Sequence, residues 1–319
     1  MVTVVLTVYN RTHYITDAIE SVLNQTYEAW EIIIADDSGY QLVKPIYELF
    51  QHDTRIRYIP NSPTLGIAAS VASAIKQARG KYIAFLNDDD SWEPTFLEEM
   101  VGPMETNTSV VLAFSDHWIM EANSVINKQA SAADTIHYHR HQLAAGFVYH
   151  PAAIILNHNS VPTAMAAIFR RDALTVACFD EAVTWAYDYW ISCQLATTGR
   201  PFFYIPKRLT RYRVHGLSET ARQSPLKSIN LVYICAKLLT LHSMQPYKRQ
   251  LRHLLSLAFY TVSKHRLQFG EANPARTLFV EACKSKLDYR YVAGYLLTWL
   301  PARLRVAIGI WVPLSSETV

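Results

Sequence analysis

The sequence predicts an α/β fold, a mostly parallel sheet flanked by helices, followed by a helical C-terminal extension. Three observations carry this. Short β-branched runs alternate with helical patterns through the first ninety or so residues. The strand-like runs there end in polar or acidic residues. After about residue 220 only helical periodicity continues.

Taken in order, residues 2–8 form a mostly apolar strand, "VTVVLTV". In "HYITDAIESVLNQTY", Tyr14, Ile15, Ala18, Ile19, Val22 and Leu23 recur at helical spacing. "WEIIIADDS" is a second buried strand ending in carboxylates, residues 40–52 read as a helix, and "RIRYIP" is a short strand. "GIAASVASAIKQAR" (66–79) is a small-residue helix, with Gly80 placed where a C-cap glycine sits. "YIAFLNDDDSWEP" (82–94) is again a buried strand, and it ends in Asp88, Asp89 and Asp90. This β-α-β-α-β alternation predicts parallel strands with helices on both faces.

From 95 to 170 the pattern loosens. "VVLAFSDHWIM" is strand-like, "MAAIFRRDAL" reads as strand into helix, and residues 121–160, rich in Ala, Asn and His, read as variable loops. "RPFFYIPKRLTRYRVH" adds a strand with an extended tail. Beyond it, Ile229, Val232, Tyr233, Ala236 and Leu239 keep a helical face, as do Leu251, Leu254, Leu255, Ala258 and Phe259. The chain therefore divides into residues 1–220 and a helical region, 221–319.

Half of the 319 residues are hydrophobic, enough to build one large α/β domain, or a domain of ordinary size plus a smaller appendage. The net charge of +3 comes without a dense basic stripe interleaved with aromatics, which argues against nucleic-acid binding. Cys178, Cys193, Cys235 and Cys283 show neither metal-ligand spacing nor a disulfide framework, so a reducing cytoplasm is expected. The N-terminus opens on a strand without a basic leader, and no secretory signal is predicted. No charge-free apolar run reaches the roughly 18 residues of a membrane span. The nearest, "YVAGYLLTWLPARLRVAIGIW" (291–311), is interrupted by Pro301, Arg303 and Arg305.

Ligands of open α/β sheets sit at the carboxyl ends of the parallel strands. Here the first strand ends in Thr7, Tyr9 and Asn10, the second in Asp36 and Asp37, and a later one in Asp88, Asp89 and Asp90. If these strands are neighbours, the side chains converge on one rim, where so many carboxylates cannot stay ionised together without a cation. A divalent metal bridging carboxylates to phosphate resolves this, and oxygen ligation favours Mg²⁺ or Mn²⁺. A lone acidic triplet has a plainer use, since Asp90 or Ser91 could cap the helix of "WEPTFLEEM". Two acidic strand ends together point to a site. Neither G-x-G-x-x-G nor a P-loop is present.

The ordered motifs "VTVVLTVYNR…YITDAIESVLNQTYEAWEIIIADDS" and "RGKYIAFLNDDDSWEP" resemble the family 2 glycosyltransferases of the GT-A fold, over residues 2–218. The resemblance implies a metal-dependent, inverting transfer of a sugar from a nucleotide-diphosphate sugar to an acceptor hydroxyl. It places Thr7 and Tyr9 at the nucleobase and Asp37 on the base, with Asp36 beside it as support. Asp88 falls near the ribose, and Asp89 on the last aspartate of the D-x-D motif, which holds Mn²⁺ or Mg²⁺ on the diphosphate. The first D-x-D position is Asn87. "FDEAVTWAYDYWISCQLATTGRPFFYIP" resembles the region of the catalytic Glu-Asp pair. There Asp188 matches the general base, Tyr187 stands for the usual glutamate and Gln194 for the usual arginine.

"RYRVHGLS" resembles the closing segment, in which His215 ligates the metal or touches the diphosphate. The helix after Gly66 carries Val71 and Ala72 where the family has an Arg-Asn pair, leaving Arg11 as the candidate for the missing donor contact. The implied product is a surface or extracellular polysaccharide, built on a glycan or lipid-linked acceptor. A nucleotidyltransferase and a non-catalytic nucleotide-sugar binder are the rivals. The first usually carries an N-terminal Gly-rich loop, and "TVYNRTHY" has no glycine.

Two further features stand apart. "HYHRH" (137–141) alternates in a polar stretch and reads as an exposed loop or edge rather than a metal site. The C-terminal third carries Lys248, Arg249, Arg252, Lys264, Arg266, Lys284 and Lys286, followed by the apolar 291–312 stretch. A helical cap with solvated basic faces is the plainer reading. The alternative is an interfacial helix making peripheral contact with anionic lipid at the inner face of the plasma membrane.

Overall fold

The computed structural model describes residues 1–162, 165–216 and 226–300. It divides into two compact units, Met1–Arg222 and Gln223–Val319. The boundary expected near residue 220 lies outside the described residues, as do Leu217, Ser218, Pro301, Arg303 and Arg305.

The first unit opens with β1 (Val2–Val8), α1 (Ile15–Leu23), β2 (Trp30–Asp36), α2 (Lys44–Phe50), β3 (Ile56–Pro60), α3 (Ile67–Lys76) and β4 (Tyr82–Asn87). These strands are all parallel, in the order β3-β2-β1-β4, so β1 is flanked by both acid-ended strands. Every residue of β1 and β2 is buried. That is why these segments read as unbroken apolar runs instead of alternating patterns.

Next come β5 (Ser91–Trp92), α4 (Phe96–Thr106), β6 (Leu112–Glu121), β7 (Ile126–Asn127), α5 (Lys128–His137), β8 (Gly146–Val148), α6 (Pro151–His158), β9 (Ala167–Arg170), α7 (Tyr187–Ala196) and β10 (Phe202–Val214). β9 inserts antiparallel between β4 and β6, and β10 lies parallel to β6, so the sheet is mixed beyond β4. The register of β10 shifts between Ile205 and Thr210, a bulge that bends a strand. Past it, β10 pairs with β5 through Thr210 opposite Trp92 and Arg211 opposite Ser91. This returns the end of the last strand to the acidic segment that follows β4.

Three local expectations change. Gly80 is no C-cap, because α3 already ends at Lys76 with Gln77 behind it. Its role is close approach: a Cβ there would lie 2.5 Å from the Thr3 backbone nitrogen and 2.8 Å from the Tyr82 carbonyl oxygen. Residues 121–160 are structured. α5 buries only Ser131 and so lacks an apolar stripe to read, and it is marked instead by Asn127, whose side chain accepts from the Ala130 N–H. "RRDAL" makes a single 3-10 turn, Arg171–Ala173, where a helix was expected.

The second unit contains α8 (Leu226–Thr240), α9 (Lys248–Gln268), α10 (Ala272–Ser285) and α11 (Tyr289–Leu297). Tyr260, Ala275, Phe279, Ala282 and Tyr291 form a small core. Gly294 lets α11 approach α10, since a Cβ there would sit 2.3 Å from the Phe279 ring. Among the described residues no helix is long and apolar enough to cross a membrane.

Two glycines test the packing. Gly80→Ala drives a methyl into backbone atoms that cannot rotate away and is expected to cost about 1–3 kcal/mol. Gly102, inside α4, has nothing within 4 Å of a built Cβ. Gly102→Ala is expected to be neutral or to stabilise by up to about 1 kcal/mol. Urea midpoints of the two variants should move apart, the first downward and the second not.

Candidate active site

The parallel register brings the predicted rim together. Thr7 lies opposite Ala35 on β2 and opposite Asn87 on β4, so all three chains leave the sheet on the same edge. The Asp37 N–H donates to the Val8 carbonyl at 3.0 Å, tying the second acidic end to the first strand.

Asp36 and Asp37 face different tasks. Asp36 is fully buried and accepts from the Ser38 N–H at 3.0 Å, the Val43 N–H at 3.3 Å and the Tyr58 hydroxyl at 2.7 Å. It shapes the β2–α2 turn and supports its neighbour without reaching the rim itself. Asp37 accepts from Asn61 Nδ2 at 3.0 Å, the Leu65 N–H at 2.8 Å and the Gly66 N–H at 2.9 Å. A carboxylate offers about four acceptor directions, so roughly one is left on Asp37. Thr7 is buried beside it, whereas Tyr9 stands 56% exposed.

The segment after β4 concentrates charge. Asp88, Asp89 and Asp90 are all buried. Arg11 reaches across from the β1–α1 loop and bridges two of them, 2.5 Å from Asp88 Oδ1 and 2.7 Å from Asp89 Oδ2. Even so, burial outweighs Arg11 and, with the Asp89 charge, pushes the Asp88 carboxyl up to about 7. Burial and the same Asp89 charge hold Asp90 well above the usual carboxylate range. Asn87 donates its amide to Asp90 Oδ2 at 2.8 Å and so serves the triplet as a brace.

The end of β10 closes the site. Arg213 is buried; its backbone N–H donates to Asp90 Oδ1 at 2.9 Å and its Nε to the Asp89 carbonyl at 2.8 Å. Its other nitrogens reach Asp17 at 3.0 Å and Ser124 at 2.8 Å, and its guanidinium lies 4.1 Å from the Tyr14 ring centroid. Two residues on, His215 Nε2 sits 3.0 Å from Asp89 Oδ2. Reading the sequence singled out His215 and overlooked Arg213, whose only local signal is an arginine two places before that histidine.

Asp188 stands in the first turn of α7, where its Oδ1 accepts the Tyr189 N–H at 2.8 Å. Beside it the Tyr187 hydroxyl is buried and finds no hydrogen-bond partner among the described residues. Burial raises that phenol, and the charges of Asp188 and Asp90 raise it further, so both carboxylates act on one hydroxyl. Trp190 is core, donating its indole N–H to the Ala177 carbonyl at 2.9 Å.

Among the described residues one group of three side chains could share an ion: Asp116, His117 and Asp134. A cation already stands there. Arg140, from within "HYHRH" and itself buried, donates Nε to Asp116 at 2.9 Å and NH2 to Asp134. Burial works against the Asp134 anion, but His117 and Arg140 outweigh it and hold the carboxyl below its usual range. This is an internal ion cluster whose cationic place Arg140 already fills.

The profile of Glycosyl transferase family 2 matches residues 3–176, more than half of the chain. An uncharacterized glycosyltransferase of Haemophilus influenzae is 27% identical over 254 residues, 75% of this chain and 75% of its own. The Escherichia coli UDP-Glc:alpha-D-GlcNAc-diphosphoundecaprenol beta-1,3-glucosyltransferase WfgD is 32% identical over 129 residues, covering 40% of this chain and 50% of its own. Among solved structures, S. aureus TarS 1–349 in complex with UDP-GlcNAc aligns over 93% of this chain and 89% of that one, with a TM-score of 0.65. At 14% identity that likeness is one of fold, the GT-A type. The family profile and WfgD are glycosyltransferases, which supports the glycosyltransferase reading over the nucleotidyltransferase one. With the family profile running from β1 to just past β9, the chain belongs to glycosyl transferase family 2.

Proposed function

We propose that the protein moves a sugar, with inversion, from a nucleotide-diphosphate sugar to a hydroxyl of a glycan or lipid-linked acceptor, at the cytoplasmic face of a membrane where a surface or extracellular polysaccharide is assembled. The observation that carries this is the placement of Asp37 and the Asp88–Asp89 pair on strands that flank β1 on one edge. Two strand spacings, about 10 Å, separate such groups, a span suited to a nucleobase at one end and phosphates at the other. WfgD, by its name, uses UDP-Glc and a lipid-linked acceptor, which supports the same class of substrates here.

In this reading the free acceptor direction on Asp37 takes a base N–H, with Thr7 and Tyr9 beside the base and Asp36 holding the turn. Asp88 faces the ribose. Asp89 and His215 hold Mn²⁺ or Mg²⁺. The donor set fits: a carboxylate oxygen and an imidazole nitrogen 3.0 Å apart, in a buried carboxylate cluster that Arg11 only partly neutralises. The imidazole favours Mn²⁺ of the two. A bound divalent ion supplies Lewis acidity at the leaving diphosphate. Arg11, already on both aspartates, lies where it can turn to the same diphosphate, in place of the arginine absent at Val71.

Asp188 accepts the proton of the acceptor hydroxyl as that oxygen attacks the anomeric carbon from the face opposite the diphosphate. The new glycosidic C–O bond forms as the C–O bond to the diphosphate breaks. The unpartnered Tyr187 hydroxyl, under the influence of Asp188 and Asp90, is positioned to donate to a substrate oxygen.

Three measurements test these assignments. Asp188→Asn should cut turnover by about 10²–10⁴-fold, with the thermal shift produced by nucleoside diphosphate unchanged. Surviving turnover would move the base to Asp180 or Glu181. Asp89→Asn should weaken Mn²⁺ binding in the presence of nucleoside diphosphate, read by calorimetry, and EDTA should silence the parent enzyme reversibly. If the parent works equally well in EDTA, the metal assignment fails. Tyr187→Phe should raise the KM of donor or acceptor without lowering the melting temperature, because the hydroxyl it removes makes no internal bond. Unchanged kinetics would make Tyr187 a packing residue only.

A further inference from the structure

The exposed side of α11 is unusual for a soluble helix. Tyr291, Gly294 and Thr298 point into the unit, and the opposite side presents Tyr289, Val292, Leu296 and Trp299, exposed by 81%, 41%, 59% and 61%. At the roughly 100° per residue of an α-helix these four lie within a stripe about 80° wide. A stripe of this kind normally faces a core. Here the core side is already filled by Phe279 and Tyr291.

Charge says what such a stripe meets. Residues 226–300 hold eleven Lys and Arg against three Asp and Glu, a surplus of eight on a chain whose total is +3, so the remainder carries −5. Two of the basic residues, Arg276 and Lys286, lie beside the stripe. The Arg276 guanidinium lies 3.5 Å from the Trp299 ring centroid and donates Nε to Thr298 at 3.0 Å, holding the indole outward with a cation beside it. Lys286, exposed, precedes the helix. A second copy of the chain would set one strongly positive unit against another, which like-charge repulsion opposes. An anionic bilayer suits both features. Tyr and Trp rings settle at the headgroup level, Leu and Val enter the acyl boundary, and each basic residue near the surface adds attraction.

We propose that this face of α11, with the basic surface around it, docks the protein onto an anionic lipid bilayer. The proposal extends the lipid-linked acceptor reading above by naming the surface that brings the enzyme to such an acceptor, and it can be tested without turnover. Full-length protein is sedimented with vesicles of phosphatidylglycerol and phosphatidylcholine, with vesicles of phosphatidylcholine alone, and with the first set in high salt. Retention on the anionic vesicles is expected, falling about tenfold on neutral ones and in high salt, where surface charge is screened. The double variant Leu296→Gln, Trp299→Gln should lose about tenfold on the anionic vesicles. Its melting temperature and nucleoside-diphosphate shift should match the parent, showing that it is folded.

Absence of retention, or equal retention of the folded double variant, overturns the proposal. So does a parent dimer that the double variant converts to monomer, since the face would then join copies of the chain. Vesicle binding by a protein that transfers no sugar would overturn the catalytic reading alone, and transfer to a soluble acceptor without vesicle binding would overturn this one alone.

Discussion

The site rests on how three consecutive buried aspartates are kept compatible with a folded chain. Leaving several carboxylates out of water without partners is prohibitive, and the protein answers with cations and donors from two distant segments and from the strand itself. Arg11 comes from the first loop, Asn87 from the strand itself, and Arg213 with His215 from the last strand. Arg213 matters most for architecture. By donating to the Asp89 carbonyl and, from its backbone, to the Asp90 carboxylate, it fastens the end of β10 to the end of β4. Only with that fastening does His215 reach Asp89.

Compensation is incomplete by design of the geometry. Arg11 neutralises part of the charge, yet burial still pushes the Asp88 carboxyl up to about 7. A site in this condition gains from further positive charge, which is the property a cation-dependent diphosphate site requires. The Asp116–Asp134 cluster shows the contrast. There a buried arginine sits on both carboxylates with His117 adjacent, and Asp134 titrates below its usual range. In one acidic cluster neighbouring positive charge holds a carboxyl below its usual range; in the other, burial holds two above it.

The two units divide the remaining work by charge and exposure. The first gathers acidic side chains at one edge of its parallel strands. The second is basic and leaves an aromatic and aliphatic stripe uncovered.

Much of this was written locally. The runs of β1, β2 and β4, the helices between them and the acidic strand ends are each properties of a short window, where periodicity and terminal residues suffice. Asp37, Asp88 and Asp89 could therefore be named before any coordinates, and so could the helical character after residue 220. The sequence alone did not reveal that β9 enters antiparallel between β4 and β6, because pairing across the sheet depends on partners far along the chain. It did not reveal α5 either, a helix with almost no buried face. Arg213 and Arg140 were silent for the same reason. Arg213 meets Asp90 across 123 residues, and Arg140 meets Asp116 across 24, so each is an ordinary surface-type residue until the fold buries it. Local chemistry decided which groups were available; the tertiary structure decided which of them share a low-dielectric space, and that sharing sets their charge.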